Sequence, residues 1–233
     1  MNKNIIFIKN FDIAKEYFPQ PSSIVLPEWY KKTQSYLNNK KEIVLGQQTT
    51  ATIKRCIPVF DALTAGYTIS THVDVFVRKN DLGDIFYTQS GGEINIIETH
   101  SIIQAPYHPF MNHQPYPKWI NPWGIKTPKG YSCLFISPVH GGNEYFQIIE
   151  GIVDTDTFNL PVNFPFVLKD INFEGIIPAG TPIVQIIPFK RDIWKMKQGN
   201  EKDIESLKNI KLYITSKFMD RYRNMFWQRK QYK

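Results

Sequence analysis

Gly130-Tyr131-Ser132-Cys133-Leu134-Phe135, Gly151-Ile152-Val153-Asp154-Thr155-Asp156 and Gly180-Thr181-Pro182-Ile183-Val184-Gln185-Ile186-Ile187 decide how this chain is read. Each piece opens on a glycine, which permits a turn or a close backbone approach. Each then enters a short run rich in apolar and β-branched side chains, the composition of a strand. Ile177-Pro178-Ala179-Gly180 reads as a tight turn into the last run. Gln185 is a polar residue between Val184 and Ile186, so a strand that buries it must give its amide partners across the fold.

The same pattern extends outward. Residues 68–70, 73–77, 94–97, 132–137, 148–153, 162–168 and 183–187 read as short strands, and so do Ile53, Ile57 and Val59. Asp81-Leu82-Gly83-Asp84 and Gly91-Gly92 are turn signals. Many short strands with little helix between them predict a mainly β barrel or sandwich. Around it, residues 1–50 read as an N-terminal arm. Within the arm, residues 5–8 suit a strand, and Pro27-Glu28-Trp29-Tyr30 opens a helix with proline at its first turn. Residues 51–192 form the barrel. A loop at 104–129 is dense in proline and aromatic residues and reads as ordered and packed. Residues 193–233 form a basic helical tail, in which Ile204, Leu207, Ile210, Ile214, Phe218, Tyr222 and Met225 recur at three- and four-residue intervals on one apolar face.

Composition narrows the class. Of 233 residues 42% are hydrophobic and 14% aromatic, enough for a sizeable core. No apolar run approaches the roughly 18 residues of a membrane span, and the start has neither the apolar core nor the cleavage site of a signal peptide. The expectation is a soluble, cytoplasmic protein with no membrane partner. Two cysteines, Cys56 and Cys133, make neither a disulfide framework nor a zinc site and read as buried thiols. The net charge is +7, and residues 201–233 hold nine Lys or Arg against four Asp or Glu. That tail reads as a solvated basic helix face, with attraction to nucleic acid as the other reading.

Four pieces in order resemble the dUTPase and dCTP-deaminase (β-clip) superfamily. Ala65-Gly66-Tyr67-Thr68-Ile69 stands where that family has Ala-Gly-Tyr-Asp-Leu. Thr127-Pro128-Lys129-Gly130-Tyr131-Ser132 is similar to its Pro-Pro-Gly-Tyr-Tyr-Gly strand. Gly151 to Thr157 is similar to its Gly-Val-Ile-Asp-Ser-Asp-Tyr motif, and Gly180 to Ile186 to its Gly-Asp-Arg-Ile-Ala-Gln-Leu strand. The resemblance covers about residues 57–190. It implies a dUTPase-like distorted β-barrel and a homo-oligomer, commonly a trimer. Segments such as Trp119-Ile120-Asn121-Pro122-Trp123 and Ile187-Pro188-Phe189-Lys190-Arg191 further resemble an uncharacterised family encoded by tailed phages and some bacteria. That implies host cytoplasm or a virion as the setting, and a phage or host protein as a partner.

The departures fall on the chemistry. Thr68 replaces the aspartate that helps hold the family's metal region, and Pro138-Val139-His140-Gly141 replaces its phosphate-gripping Pro-Arg-Ser-Gly. Valine makes none of the paired hydrogen bonds of arginine. Thr157 replaces the tyrosine that covers the pyrimidine, with Phe158 next to it as a substitute. Asp154 alone keeps the place of the catalytic aspartate.

Three readings follow. The first is a catalytically degenerate assembly or interaction module. The second is a nucleotide-binding or nucleotide-hydrolysing enzyme rebuilt around Asp154, His140 and Arg191, with Tyr67, Thr68 and Phe158 contacting ligand. Mg2+ belongs to that reading alone, and no other cofactor or metal is expected. The third is nucleic-acid binding through the tail. Trp29, Trp119, Trp123, Phe218 and Tyr222 are the expected interface anchors, because tryptophan and tyrosine dominate such surfaces. His100, His108 and His113 fit no zinc spacing.

Overall fold

The computed structural model describes residues 3–40, 43–44, 48–91, 94–104, 116–215 and 222–233. The strands in chain order are β1 (Ile6–Lys9), β2 (Gln20–Pro21), β3 (Ile43–Val44), β4 (Gln48–Thr49), β5 (Tyr67–Ser70), β6 (Val75–Lys79), β7 (Ile85–Gln89) and β8 (Ile97–Thr99). They continue with β9 (Pro117–Trp119), β10 (Trp123–Lys126), β11 (Tyr131–Ile136), β12 (Phe146–Ile148), β13 (Gly151–Val153), β14 (Phe164–Leu168), β15 (Gly175–Ile177) and β16 (Pro182–Lys190). The α-helices are α1 (Glu28–Lys32), α2 (Ile57–Thr64) and α3 (Glu201–Thr215).

The chain divides into two compact units, one of Met1–Lys31, Leu63–Arg191 and Tyr232–Lys233, the other of Lys32–Ala62 and Asp192–Gln231. The first is antiparallel β. Its five-stranded sheet runs β13-β11-β16-β5-β2, a second sheet runs β12-β14-β9-β8, a third runs β15-β6-β7, and β1 pairs with β10. Alternation along the strands sends Cys133, Phe135, Val184 and Ile186 inward. The core centres on Trp119, Phe146 and Phe166, whose ring centroids lie 5.1 to 5.2 Å apart. Gln185 is buried among these apolar neighbours. Its Nε2 donates to Ala65 O (2.7 Å) and its Oε1 accepts from Val139 N (3.2 Å), which satisfies the amide across the sheet.

The second unit holds the β3–β4 pair and α3. Asn200 caps α3, its Oδ1 accepting from the Lys202 and Asp203 amides while Asp203 Oδ2 accepts from the Asn200 amide (2.8 Å). That reciprocal pair and the acidic first turn start the helix at Glu201. The Asp61 carboxylate accepts from Trp227 Nε1 (3.0 Å) and Lys230 Nζ (2.7 Å), tying the last segment to residue 61.

The described part of the chain is mainly β. Among the described residues none of the sheets closes into a barrel. The five-stranded sheet ends on β2, where two residues pair, and on β13, where three do. Pro21 has no amide proton to continue the β2 edge.

Local readings also change. Ile53 lies in a 3-10 turn and Ile57 and Val59 lie in α2, not in strands, because Pro58 in the first turn favours a helix start. Of the stretch read as a loop at 104–129, residues 105–115 lie outside the described residues, and the rest carries β9 and β10. Trp119 and Trp123 are buried in the core of this chain, so neither is an interface anchor; tight packing against Phe146, Phe166 and Phe18 takes them. Cys133 is fully buried, whereas Cys56 is exposed.

Candidate functional site

The β11 register builds the candidate site. Cys133 pairs with Val153, which sets Asp154 beside Ser132 where β13 ends. Tyr131 pairs with Lys190, and the Arg191 amide donates to Gly130 O (2.9 Å) where β16 ends. Ser132, Asp154 and Arg191 therefore meet at the start of β11. Gly130, at φ 84°, makes the turn that opens the strand.

Arg191 is the hub. Its Nη1 lies 2.8 Å from Asp156 Oδ1, 3.0 Å from Asp154 Oδ1 and 3.0 Å from Ser132 Oγ. Its Nη2 donates to Asp156 Oδ2, so guanidinium and carboxylate pair fork to fork. Asp156 Oδ2 also accepts from the Gly130 amide (2.7 Å). The Arg191 guanidinium beside Asp156, and then that amide, hold the carboxyl down at about 2.

The two carboxylates have different surroundings. The Asp156 side chain is 2% exposed and the Asp154 side chain 61%. Asp154 Oδ1 accepts from Ser132 Oγ (2.6 Å) as well as facing Arg191. Between them Thr155 is buried, its hydroxyl sharing a hydrogen bond with Thr127 Oγ1 (2.7 Å). The Asp154 carbonyl accepts from the amides of Thr157 (3.0 Å) and Phe158 (2.8 Å), closing the turn.

This set does not fit Mg2+, which takes near-octahedral oxygen ligands and keeps several waters. Both Asp156 oxygens already hold hydrogen bonds, and a guanidinium stands where a cation would approach. Among the described residues no group of three or more His, Cys, Asp and Glu side chains is placed to hold a metal ion.

Comparison of the chain with protein families, curated proteins and solved structures finds no match.

The remaining residues singled out in the sequence scatter. His140 lies beyond Ile136, at the other end of β11 from Ser132. The six residues of that strand, on the order of 20 Å, separate it from Asp154 and Arg191. It adopts φ 55°, and its carbonyl accepts from Trp29 Nε1 (2.8 Å). Thr68 is buried, its hydroxyl hydrogen-bonded to Ser22 Oγ (2.9 Å), so it presents nothing to a ligand. Tyr67 packs edge-on to Phe7 and Tyr232, and its hydroxyl donates to Lys233 O (3.2 Å). Phe158 is exposed beside Asp154, and Trp29 and Tyr222 are exposed. Phe218, His108 and His113 lie outside the described residues. The His100 ring packs at a tilt against Tyr116, centroids 5.0 Å apart.

Ser132 and Asp156 carry more of the site than the sequence reading assigned them. The signal available in the sequence is the Asp154-Thr155-Asp156 spacing, two carboxylates one residue apart, together with Arg191, a cation directly after the Pro182–Lys190 run.

Proposed function

We propose that this chain is an interaction module on a β scaffold, a catalytically degenerate relative of the dUTPase fold that associates first with further copies of itself. One observation carries the reading. Several strongly exposed apolar side chains recur along one stretch of the second unit, residues 193–210. Ile193 is 94% exposed and Trp194 87%, Met196 is exposed, and Ile204, Leu207 and Ile210 follow on the exposed face of α3. Repeated exposure of large apolar side chains along one stretch suits an interaction surface, and a surface repeated on every copy is met by symmetric self-association.

Two further facts support the scaffold reading. The segments similar to the superfamily's motifs lie on or beside β5, β11, β13 and β16, four neighbouring strands of one sheet. The Asp156–Arg191 pair ties two of those strand ends together, which gives its charges a structural use. The phage setting rests on the resemblance alone.

The second reading is a nucleotide hydrolase rebuilt around Asp154. It is favoured by the exposed Asp154 carboxylate next to a hydroxyl and a guanidinium.

Sedimentation velocity of the protein, together with phosphate and pyrophosphate release from a nucleotide panel, tests both. The expected result is an oligomer that Ile193→Ser with Trp194→Ser dissociates, and no turnover. A monomer at micromolar concentration, or turnover that Asp154→Asn abolishes, overturns the reading.

A further inference from the structure

We propose that the groove beside His72 in the first unit binds an uncharged, planar aromatic ligand that presents a hydrogen-bonding edge. The groove has a volume of about 450 Å³ and lies among residues 11–14, Tyr17, His72, Val73, Gln89 at the end of β7, and Ile94. That volume is within the range of small-molecule sites, roughly 300–1,000 Å³. It has no part in the Asp154 cluster: none of Ser132, Asp154, Asp156 or Arg191 lines it.

The lining chemistry selects the ligand. Phe11 and Tyr17 supply aromatic surface, and Ile13 and Val73 supply aliphatic walls. The His72 ring packs at 5.9 Å from Phe11, and its imidazole makes no hydrogen bond with the described residues. Burial pushes its pKa below the ordinary 6.5, so near neutral pH the ring carries no charge. A neutral imidazole offers one donor and one acceptor. The Gln89 amide, by contrast, is spent on the wall itself: Nε2 donates to Gly91 O and Ile94 O, and Oε1 accepts from Ile96 N, each at 2.8 Å.

His72 also lines a smaller void of about 10 Å³, the space of one water molecule. Trp119 lines that void too, and its buried indole N–H has no partner among the described residues. The imidazole can thus hold a water on the inner side and a ligand on the outer.

Charge argues against an anionic ligand. Among the described residues no lysine or arginine lines the groove, and the rim carboxylate of Asp12 is already bonded to Lys9 (2.6 Å). Among the described lining residues a phosphate would meet a carboxylate and no lysine or arginine.

The test follows the His72 imidazole by 15N NMR of histidine-labelled protein during titration with adenine, uracil, indole and p-cresol, with adenosine monophosphate as the charged counterpart. At least one uncharged probe is expected to shift the His72 signals saturably, with adenosine monophosphate about tenfold weaker than adenine. His72→Phe keeps the ring volume and removes both hydrogen-bonding atoms. It should weaken binding by about tenfold, the usual scale for one lost buried hydrogen bond, read by saturation transfer to the probe. Should His72→Phe fail to fold, His72→Gln restores a donor and an acceptor and should bind within a few fold of wild type, and Tyr17→Phe removes one hydroxyl only and should leave the fold unchanged. Unmoved His72 signals with every probe overturn the proposal. So does wild-type affinity in His72→Phe, or adenosine monophosphate binding as tightly as adenine.

Discussion

Asp156 shows how a residue that suggests catalysis becomes structural. Its carboxyl ionises at about 2 in the folded chain, against an ordinary 3.8, because Arg191 and the Gly130 amide favour the charged form. Where the folded pKa lies below the unfolded one, the unfolded state binds more protons between the two values. The stabilisation is therefore complete above about pH 4 and disappears as pH falls from 3.8 through 2. Urea midpoints of the wild type should fall over that window. Asp156→Asn and Arg191→Ala should each lower the midpoint at neutral pH and flatten its acid limb. An unchanged acid limb in both variants would mean that the pair contributes nothing to folding. Asp154 is legible in the sequence as the position to watch; Asp156, two residues on, is not. Sequence spacing shows that two carboxylates are near each other; it does not show which one a strand end 35 residues later will neutralise.

The close approach between the β5 entry and β16 is the sharpest constraint at the scale of elements. Gly66 adopts φ 67°, and a Cβ there would lie 1.9 Å from Ile186 O, a backbone atom held in the centre of the five-stranded sheet. Neither the left-handed backbone nor the carbonyl can yield cheaply. Gly66→Ala should cost about 2–4 kcal/mol, the scale of strain at a special backbone position, seen as a lower denaturant midpoint with an unchanged slope. Most strands were legible from β-branched runs bounded by turns, β11 and β16 above all. Two classes of element were not. In residues 53–59, β-branched side chains suggested strand, but the proline in the first turn and the tertiary context made helix. In residues 116–126, prolines suggested loop. Pro117 opens β9, where its missing amide proton costs nothing, and Pro122 lies in the irregular connection before β10. The same positional rule places Pro188 in β16. It pairs with Cys133 on β11, beyond Ile186, the last residue of β16 that pairs with β5.

For the whole molecule the question is what meets the apolar stretch from Ile193 to Ile210. The chain carries a net charge of +7, concentrated in the same tail, so two copies repel at long range while their apolar side chains attract at contact. These forces respond differently to salt. Screening shortens the repulsion, with a Debye length of roughly 10 Å at 0.1 M, and leaves apolar burial essentially intact. Self-association through this stretch should therefore strengthen as salt rises from about 0.05 to 0.5 M. Binding of polyanions through the basic tail would instead weaken steeply, since each neutralised phosphate releases counterions. Trp194 is the natural anchor, being the largest side chain of the stretch and 87% exposed in the single chain. Trp194→Ser should raise the dissociation constant at least tenfold, the scale of a hot-spot residue, with the thermal midpoint of the separated chains unchanged because the side chain supports nothing within its own copy. Sedimentation velocity across the salt series, for wild type and variant, reads both effects. Association that weakens with salt, or that Trp194→Ser leaves intact, would move the interface off this stretch and onto the charged face of the tail.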